Sequence, residues 1–301
     1  MKKILCLCFS STLQRTISFE NLSLEKVNRS THYRLDASGK AVNSARIIAQ
    51  LEKNCVRTFC PLGKENQEEF KSLSAADNLN LFYVTIPGKI RECWTLLDRS
   101  KKTTTELVVG EPILERSEEF VKIEEELITK ILPQEIEKCD AVLLAGSRPG
   151  IWKERLYADI AQLCILKQKL FLADFICKDL LFTLEKCTPS VIKINEDEFI
   201  QTFYPQKCED LKNAIIQKSR ELGNIIIVTR GIKSTYAAIN GKFTECPVEK
   251  VEAVNTTACG DSFNAGFLYE FVNSGDFDAA LKKGTWCAAR NAERECPGTI
   301  I

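Results

Sequence analysis

Histidine is almost missing from this chain: His32 is the only one in 301 residues. With no histidine pair and no C-x-x-C spacing among the 14 cysteines, the sequence gives no basis for a structural zinc site. An excess of either charge is missing too. Lysine plus arginine and aspartate plus glutamate both number 41, so no basic field recommends a nucleic acid, and a small molecule is the expected partner. No apolar run reaches the roughly 20 residues that span a bilayer. The opening MKKILCLCF superficially resembles a signal peptide, but Ile4 to Phe9 is shorter than the roughly 7–15 apolar residues of a secretory core. It has the length of a buried first strand. The expected location is therefore cytoplasmic, without membrane association. Internal repeats, low-complexity tracts and long linkers are also absent, which predicts one domain over residues 1–301.

What is present is a composition of 45% hydrophobic and 27% charged residues, enough for one sizeable core. The cysteines are scattered through apolar runs such as ILCLCF and AQLCIL, the pattern of buried thiols in a reducing compartment. Short apolar segments VRTFC (56–60), AVLLA (141–145), KLFLAD (169–174), SVIKIN (190–195) and IIIVT (225–229) read as strands. Helical patterns at 41–53, 117–138, 152–168 and 211–223 alternate with them. Such alternation predicts an α/β fold, a mostly parallel central sheet with helices on both faces, whose ligands gather beyond the carboxyl ends of the strands. Residues 11–36 and 80–110 break the pattern. Their polar and apolar residues alternate in RTISF, STHYRL, LFYVTI, CWTLLD and TTTELVV, which predicts antiparallel strands forming a small β-sheet lid over the site.

Five turns carry candidate chemistry. LDASGKAVNSAR places a Ser-Gly turn and Lys40 before a helix with Asn43 on its first turn. It is no Walker loop, because Ala41 follows the lysine and the upstream glycine is missing; a GxGxxG turn after the first strand is missing as well. LLAGSRPG and VTRGIK are strands running into glycine turns. PSVIKINEDEF delivers Lys193 and Asn195 at a strand end with Glu198 three residues on, a set that suits a hydrated magnesium ion and phosphates or simply a solvated strand end. NTTACGDSFNAGF sets Asp261 where helical N–H groups lack partners, either a plain helix start or an anion site with a carboxylate beside it.

The order of these motifs along the chain, SGKAVN, GSRPG, KINEDE, VTRG and TTACGD, resembles the ribokinase/PfkB carbohydrate kinase family over essentially the whole length. It is most similar to the branch that includes 1-phosphofructokinase, the minor 6-phosphofructokinase and tagatose-6-phosphate kinase. The resemblance implies ATP and Mg²⁺ as cofactors and a sugar or sugar phosphate as substrate. It implies Asp261 as the base for the acceptor hydroxyl and Ala258, Cys259 and Gly260 as an anion hole. Gln14, Arg29, Gly39, Lys40, Asn43 and Arg91 fall at substrate-binding places, Lys193, Thr229, Gly231 and Asn291 at nucleotide-binding places, and Asn195 and Glu198 at the metal. Arg29 and Arg91 resemble the residues that hold a substrate phosphate, and a homodimer through the lid is implied.

Several positions depart from the family pattern. ACGD stands for GAGD, SGKA for GGKG, and Gln14 stands where an early aspartate would bind sugar hydroxyls. If the turn needs positive φ at 258, alanine there carries strain of about 1 kcal/mol. The expected activity is ATP-dependent phosphorylation of a sugar or sugar phosphate. The alternatives are a kinase for an unphosphorylated sugar or nucleoside, or a catalytically weakened ligand-binding or regulatory protein.

Overall fold

The computed structural model describes residues 1–109 and 115–301, so residue 110, the last of the expected lid segment 80–110, lies outside the described part. Its strands are β1 Ile4–Leu7, β2 Thr12–Phe19, β3 His32–Ser38, β4 Val56–Gly63, β5 Leu81–Ile86, β6 Arg91–Asp98 and β7 Thr103–Val108. They continue with β8 Ala141–Ala145, β9 Leu170–Asp174, β10 Val191–Asn195, β11 Ile225–Arg230, β12 Lys233–Ile239 and β13 Lys242–Cys246. The helices are α1 Lys40–Leu51, α2 Gln67–Ala76, α3 Glu118–Glu126, α4 Leu132–Glu137, α5 Leu156–Leu166, α6 Cys177–Lys186, α7 Glu196–Phe203, α8 Leu211–Leu222, α9 Cys259–Ser274 and α10 Phe277–Ala292.

Nine strands form one sheet in the order β13-β12-β11-β10-β9-β8-β1-β4-β5, parallel from β5 to β11 and closed at one edge by the antiparallel β12 and β13. Its inner strands are apolar on both faces because helices cover both: β1 and β8 are buried at every residue. One layer, built on α1, α9 and α10, packs Ile47, Phe267 and Leu281 against the sheet. The other, built on α3 to α8, packs Phe120, Trp152 and Phe199. The pattern at 117–138 predicts a single helix, but a π-turn at Leu127–Ile131 interrupts it. Pro133, at the start of α4, has no N–H to continue the ladder, so the backbone widens there.

The second sheet, in the order β3-β2-β6-β7, is the lid. Two expectations need correction here. The lid is not wholly antiparallel: β2 and β6 run parallel, with Gln14 beside Cys93. The whole β4-α2-β5 unit lies between them in sequence, and a crossover of that length can return the chain in the same direction. LFYVTI, in turn, is not a lid strand. It is β5, paired in parallel with β4 from Leu81 beside Thr58, and its half-buried position at the sheet edge produces the alternation that mimics a lid strand.

Candidate active site

The carboxyl ends of β9, β10 and β11, the start of α1 and the start of α9 open into a cleft of about 1020 Å³, with the lid along one side. Gly39 begins α1 with φ 132°, and a Cβ there would stand 2.5 Å from the Cys8 sulfur, so only glycine lets the helix start this close to β1. The helix thereby presents Lys40 and Asn43 to the cleft. Lys40 Nζ donates to Asp174 Oδ1 at 3.0 Å and lies 3.6 Å from Glu198 Oε1. Asp174 ends β9, is wholly buried, and accepts on Oδ2 from Asn264 at 2.5 Å and from Lys193 Nζ at 3.3 Å. Burial alone would push its carboxyl up, but the Lys193 and Lys40 ammoniums and the Asn264 amide hold it well below the usual carboxylate range. Asp174 in turn raises Lys40 against the opposing effect of burial.

The sequence motifs did not single out Asp174. Its one sequence signal was the position: an aspartate closing the strand segment KLFLAD, at the sheet edge where ligands gather.

Asp261 lies on the first turn of α9 and is buried. Burial pushes its carboxyl up to about 6, against the Lys40 charge and the Asn43 amide, which donates to Oδ2 at 2.9 Å. The Asn43 amide is itself oriented, since its oxygen accepts from Ser38 Oγ at 3.0 Å and from Arg46 Nη1 at 3.2 Å. Ser38, one of the departures from the family pattern, therefore takes part in the hydrogen bonding behind the carboxylate. Ala41, the other departure in that turn, is helical and fully buried, with its methyl group in the core. A carboxyl raised by burial beside two lysines and a row of helix N–H groups can accept a proton from a hydroxyl while the N–H groups receive an anion.

Ala258 precedes α9 at φ 64°, ψ 10°, in the left-handed region. The condition for strain is thus met: a Cβ in this region costs roughly 1–2 kcal/mol. Cys259 opens the helix, and burial raises its thiol to about 11, which disfavours the thiolate. Gly260 faces the Lys193 ammonium, 3.0 Å from where a Cβ would sit. Ala258→Gly is expected to stabilise the protein by about 0.5–1 kcal/mol, the relief of strain less the greater entropy of an unfolded glycine. A urea midpoint that rises at constant slope checks this; a lower midpoint would show that the methyl group packs favourably.

Asn195 and Glu198 form a reciprocal capping box on α7: Asn195 Oδ1 accepts from the Glu198 N–H at 2.9 Å and Glu198 Oε2 from the Asn195 N–H at 2.8 Å. Only Glu198 Oε1 is then left to face the cleft. Among the described residues no group of three or more His, Cys, Asp or Glu side chains could hold a metal by itself. The donor set fits a different arrangement, in which magnesium keeps most of its water and takes one or two carboxylates with substrate phosphates. Thr229 and Gly231 line the cleft at the end of β11 and the following turn, and Gln14 and Arg91 line it from the lid. Gln14 Nε2 donates to Thr95 Oγ1 at 2.8 Å and Arg91 Nε to Thr12 Oγ1 at 2.9 Å.

Two sequence candidates stand elsewhere. Asn291 is fully buried, donating to Thr257 O at 2.8 Å and accepting from the Gly298 N–H at 2.7 Å, so it fastens the 257–259 turn to the C-terminal segment and does not line the cleft. Arg29 is exposed in the loop between β2 and β3, also away from the cleft of its own chain. In both cases the sequence supplied the residue type, and packing decided where it went.

Known structures share this architecture. Phosphofructokinase-2 from Escherichia coli in complex with potassium superposes with a TM-score of 0.83 at 16% identity, covering 99% of this chain and 94% of that one. A Thermotoga maritima protein described as a possible 1-phosphofructokinase gives 0.85 at 17%, covering 98% and 93%. Ribokinase from the same organism gives 0.72 at 17%, covering 100% and 96%. At these identities the likeness carries the ribokinase-like fold. The family itself is shown by sequence, since the description of the pfkB family carbohydrate kinases matches residues 3–300, and the chain belongs to that family.

Proposed function

We propose that the protein transfers the terminal phosphoryl group of ATP to a hydroxyl of a sugar or sugar phosphate. The observation that carries this is Asp261, a buried carboxyl on the first turn of α9 that lines one cleft with Lys40 and Lys193. Asp261 orients the acceptor hydroxyl and takes its proton as the new O–P bond forms. The N–H groups that open α9, with Lys40 and Lys193, stabilise charge on the transferring group, so catalysis rests on positioning and electrostatics. A magnesium ion brought in with the nucleotide would be held through Glu198, which Asn195 orients by the cap, and would supply charge neutralisation on the phosphates. Gly231 and Thr229 provide the turn beside the nucleotide, while Gln14, Asn43 and Arg91 face the acceptor.

A phosphorylated hexose is the first acceptor to try. Arg91 and Lys40 give the acceptor side two cations, and the Escherichia coli phosphofructokinase-2 has been captured with fructose-6-phosphate. The test is ADP release across sugars and sugar phosphates. Turnover is expected on a hexose phosphate above the matching free hexose, and Arg91→Ala should cut the former by about 10- to 150-fold, the worth of one charge-assisted contact, while the free sugar loses far less. Equal losses on both would reduce Arg91 to a lid-structure residue. Turnover on free sugars or nucleosides alone would replace the phosphosugar reading, and no ADP release from any acceptor would leave the ligand-binding alternative.

A homodimer through the lid belongs to the same proposal. The face of the lid turned away from the cleft carries Ile17, Trp94 and Leu96 together with Tyr33 and Leu107, which are 53% and 50% exposed. A second copy covering this face would bury them, and would bring an exposed Arg29 into reach of a neighbouring site. Sedimentation at micromolar concentration reads this directly, and a monomer would refute it. A cytoplasmic location is supported by the cysteines, most of which are buried in the apolar core with no disulfide between them among the described residues. Among the described residues no helix is long and apolar enough to cross a membrane.

A further inference from the structure

Glu106 belongs to the TTTELVV segment, and neither the chemistry above nor the sequence motifs gave it a task. It lies on β7, the outer strand of the lid, opposite Thr95 and on the face that lines the cleft. Its Oε1 accepts from Thr257 Oγ1 at 3.0 Å. Thr257 is the residue just before the left-handed Ala258. Its N–H is held by Asn255 Oδ1 at 2.9 Å and its carbonyl by Asn291, so the hydroxyl is presented by a fixed backbone. The neighbouring β6–β7 turn is tied to the body on the same side by Lys102 with Glu252 at 2.6 Å and Arg99 with Glu295 at 2.7 Å.

We propose that Glu106 is an autoinhibitory latch, a lid carboxylate bonded to the anion-binding turn that an incoming polyphosphate must displace. The proposal rests on the reading of residues 258–260, which follow Thr257 directly, as the phosphoryl-binding turn. The physical reason is like charge: a donor's terminal phosphate and the Glu106 carboxylate cannot share that turn without mutual repulsion. Lys40 and Lys193 do not neutralise Glu106, because both are already engaged with Asp174. Binding of the donor then breaks the Thr257–Glu106 bond and frees the β7 edge of the lid. The two ion pairs at the β6–β7 turn remain as its hinge. Donor affinity is accordingly set in part by the strength of this one contact.

The test measures binding of ATP and, separately, of inorganic tripolyphosphate to the full chain by calorimetry, without an acceptor. Glu106 is an exposed residue of an edge strand, so both Glu106→Gln, which keeps an acceptor but removes the charge, and Glu106→Ala should fold. Both are expected to tighten either ligand by roughly three- to ten-fold, the effect of removing one nearby like charge at a solvated site, and the gain should shrink in high salt. Glu252→Gln, which loses a lid contact outside the cleft, should leave affinity unchanged. Unchanged or weaker binding in both Glu106 variants would overturn the latch while leaving the kinase reading intact. Tightening in Glu252→Gln equal to that in Glu106→Gln would also overturn it, by tracing the effect to general lid loosening. Failure of the wild type and both variants to bind either ligand would overturn the latch and the phosphoryl-site reading together.

Discussion

Replacing Asp261 by asparagine is expected to reduce phosphoryl transfer by about 10²–10⁴-fold, the usual worth of a positioned base, while ATP affinity stays within a few-fold. The same substitution should make the protein more stable near neutral pH. A carboxyl whose folded pKa of about 6 lies above its ordinary value binds its proton more tightly in the folded chain. Its favourable contribution is therefore complete below about pH 4 and is lost as the pH rises through 6. Above that, the folded protein carries a buried charge that burial disfavours, at a cost on the order of 3 kcal/mol. Asparagine can still accept the Asn43 amide and carries no charge, so Asp261→Asn should raise the thermal midpoint at pH 8 and give no gain at pH 4. The acid limb of kcat/KM in the wild type should fall with an apparent pKa near 6, because only the ionised form accepts the proton. Unchanged turnover would remove Asp261 from the mechanism. A lost activity without the pH-dependent gain in stability would show that the carboxyl is solvated in the free protein.

Asp174→Asn should act in the opposite direction. Asp174 is the shared counter-charge of Lys40 and Lys193, and its side chain is almost wholly inaccessible. Asparagine would leave Lys193, itself buried, without its anionic partner, a loss of roughly 3–5 kcal/mol by the general cost of breaking a buried pair. The pKa of Asp174 is held below its ordinary value, so its contribution is present above about pH 4 and is lost as the pH falls through the depressed folded value. The difference in stability between wild type and Asp174→Asn should accordingly be full at pH 7 and narrow in acid. Denaturant midpoints across that range check the sign. Equal stability at pH 7 would mean that water already compensates the lysines. The two aspartates line one cleft, yet burial raises the carboxyl of Asp261 while the Lys193 and Lys40 ammoniums lower that of Asp174.

What each residue type could do was legible locally. The turn SGKAVN, the strand end VIKIN and the run TTACGD marked Lys40, Lys193 and Asp261, and the left-handed conformation of Ala258 was a condition the sequence could pose but not answer. The alternation of short apolar runs with helical patterns specified the layered α/β fold, because strand and helix periods are properties of neighbours in the chain. Asn195 and Glu198 were legible as a polar strand end, either metal-holding or merely solvated, and only the structure shows them as the reciprocal cap of α7.

Pairings across the chain were decided only by tertiary structure. Asp174 meets Lys40 across 134 residues and Asn264 across 90, and its partners were invisible until β9, α1 and α9 were placed side by side. The edge strand β5 alternates like a lid strand, and only its parallel pairing with β4 assigns it to the central sheet. Asn291 has a residue type suited to a nucleotide site, but its amide is consumed by the 257–259 turn and the C-terminal segment. The raised pKa of Asp261 and the lowered one of Asp174 belong to the same class of fact. Desolvation and the distance to the nearest counter-charge set them, and both depend on which distant segments the fold brings to the same point.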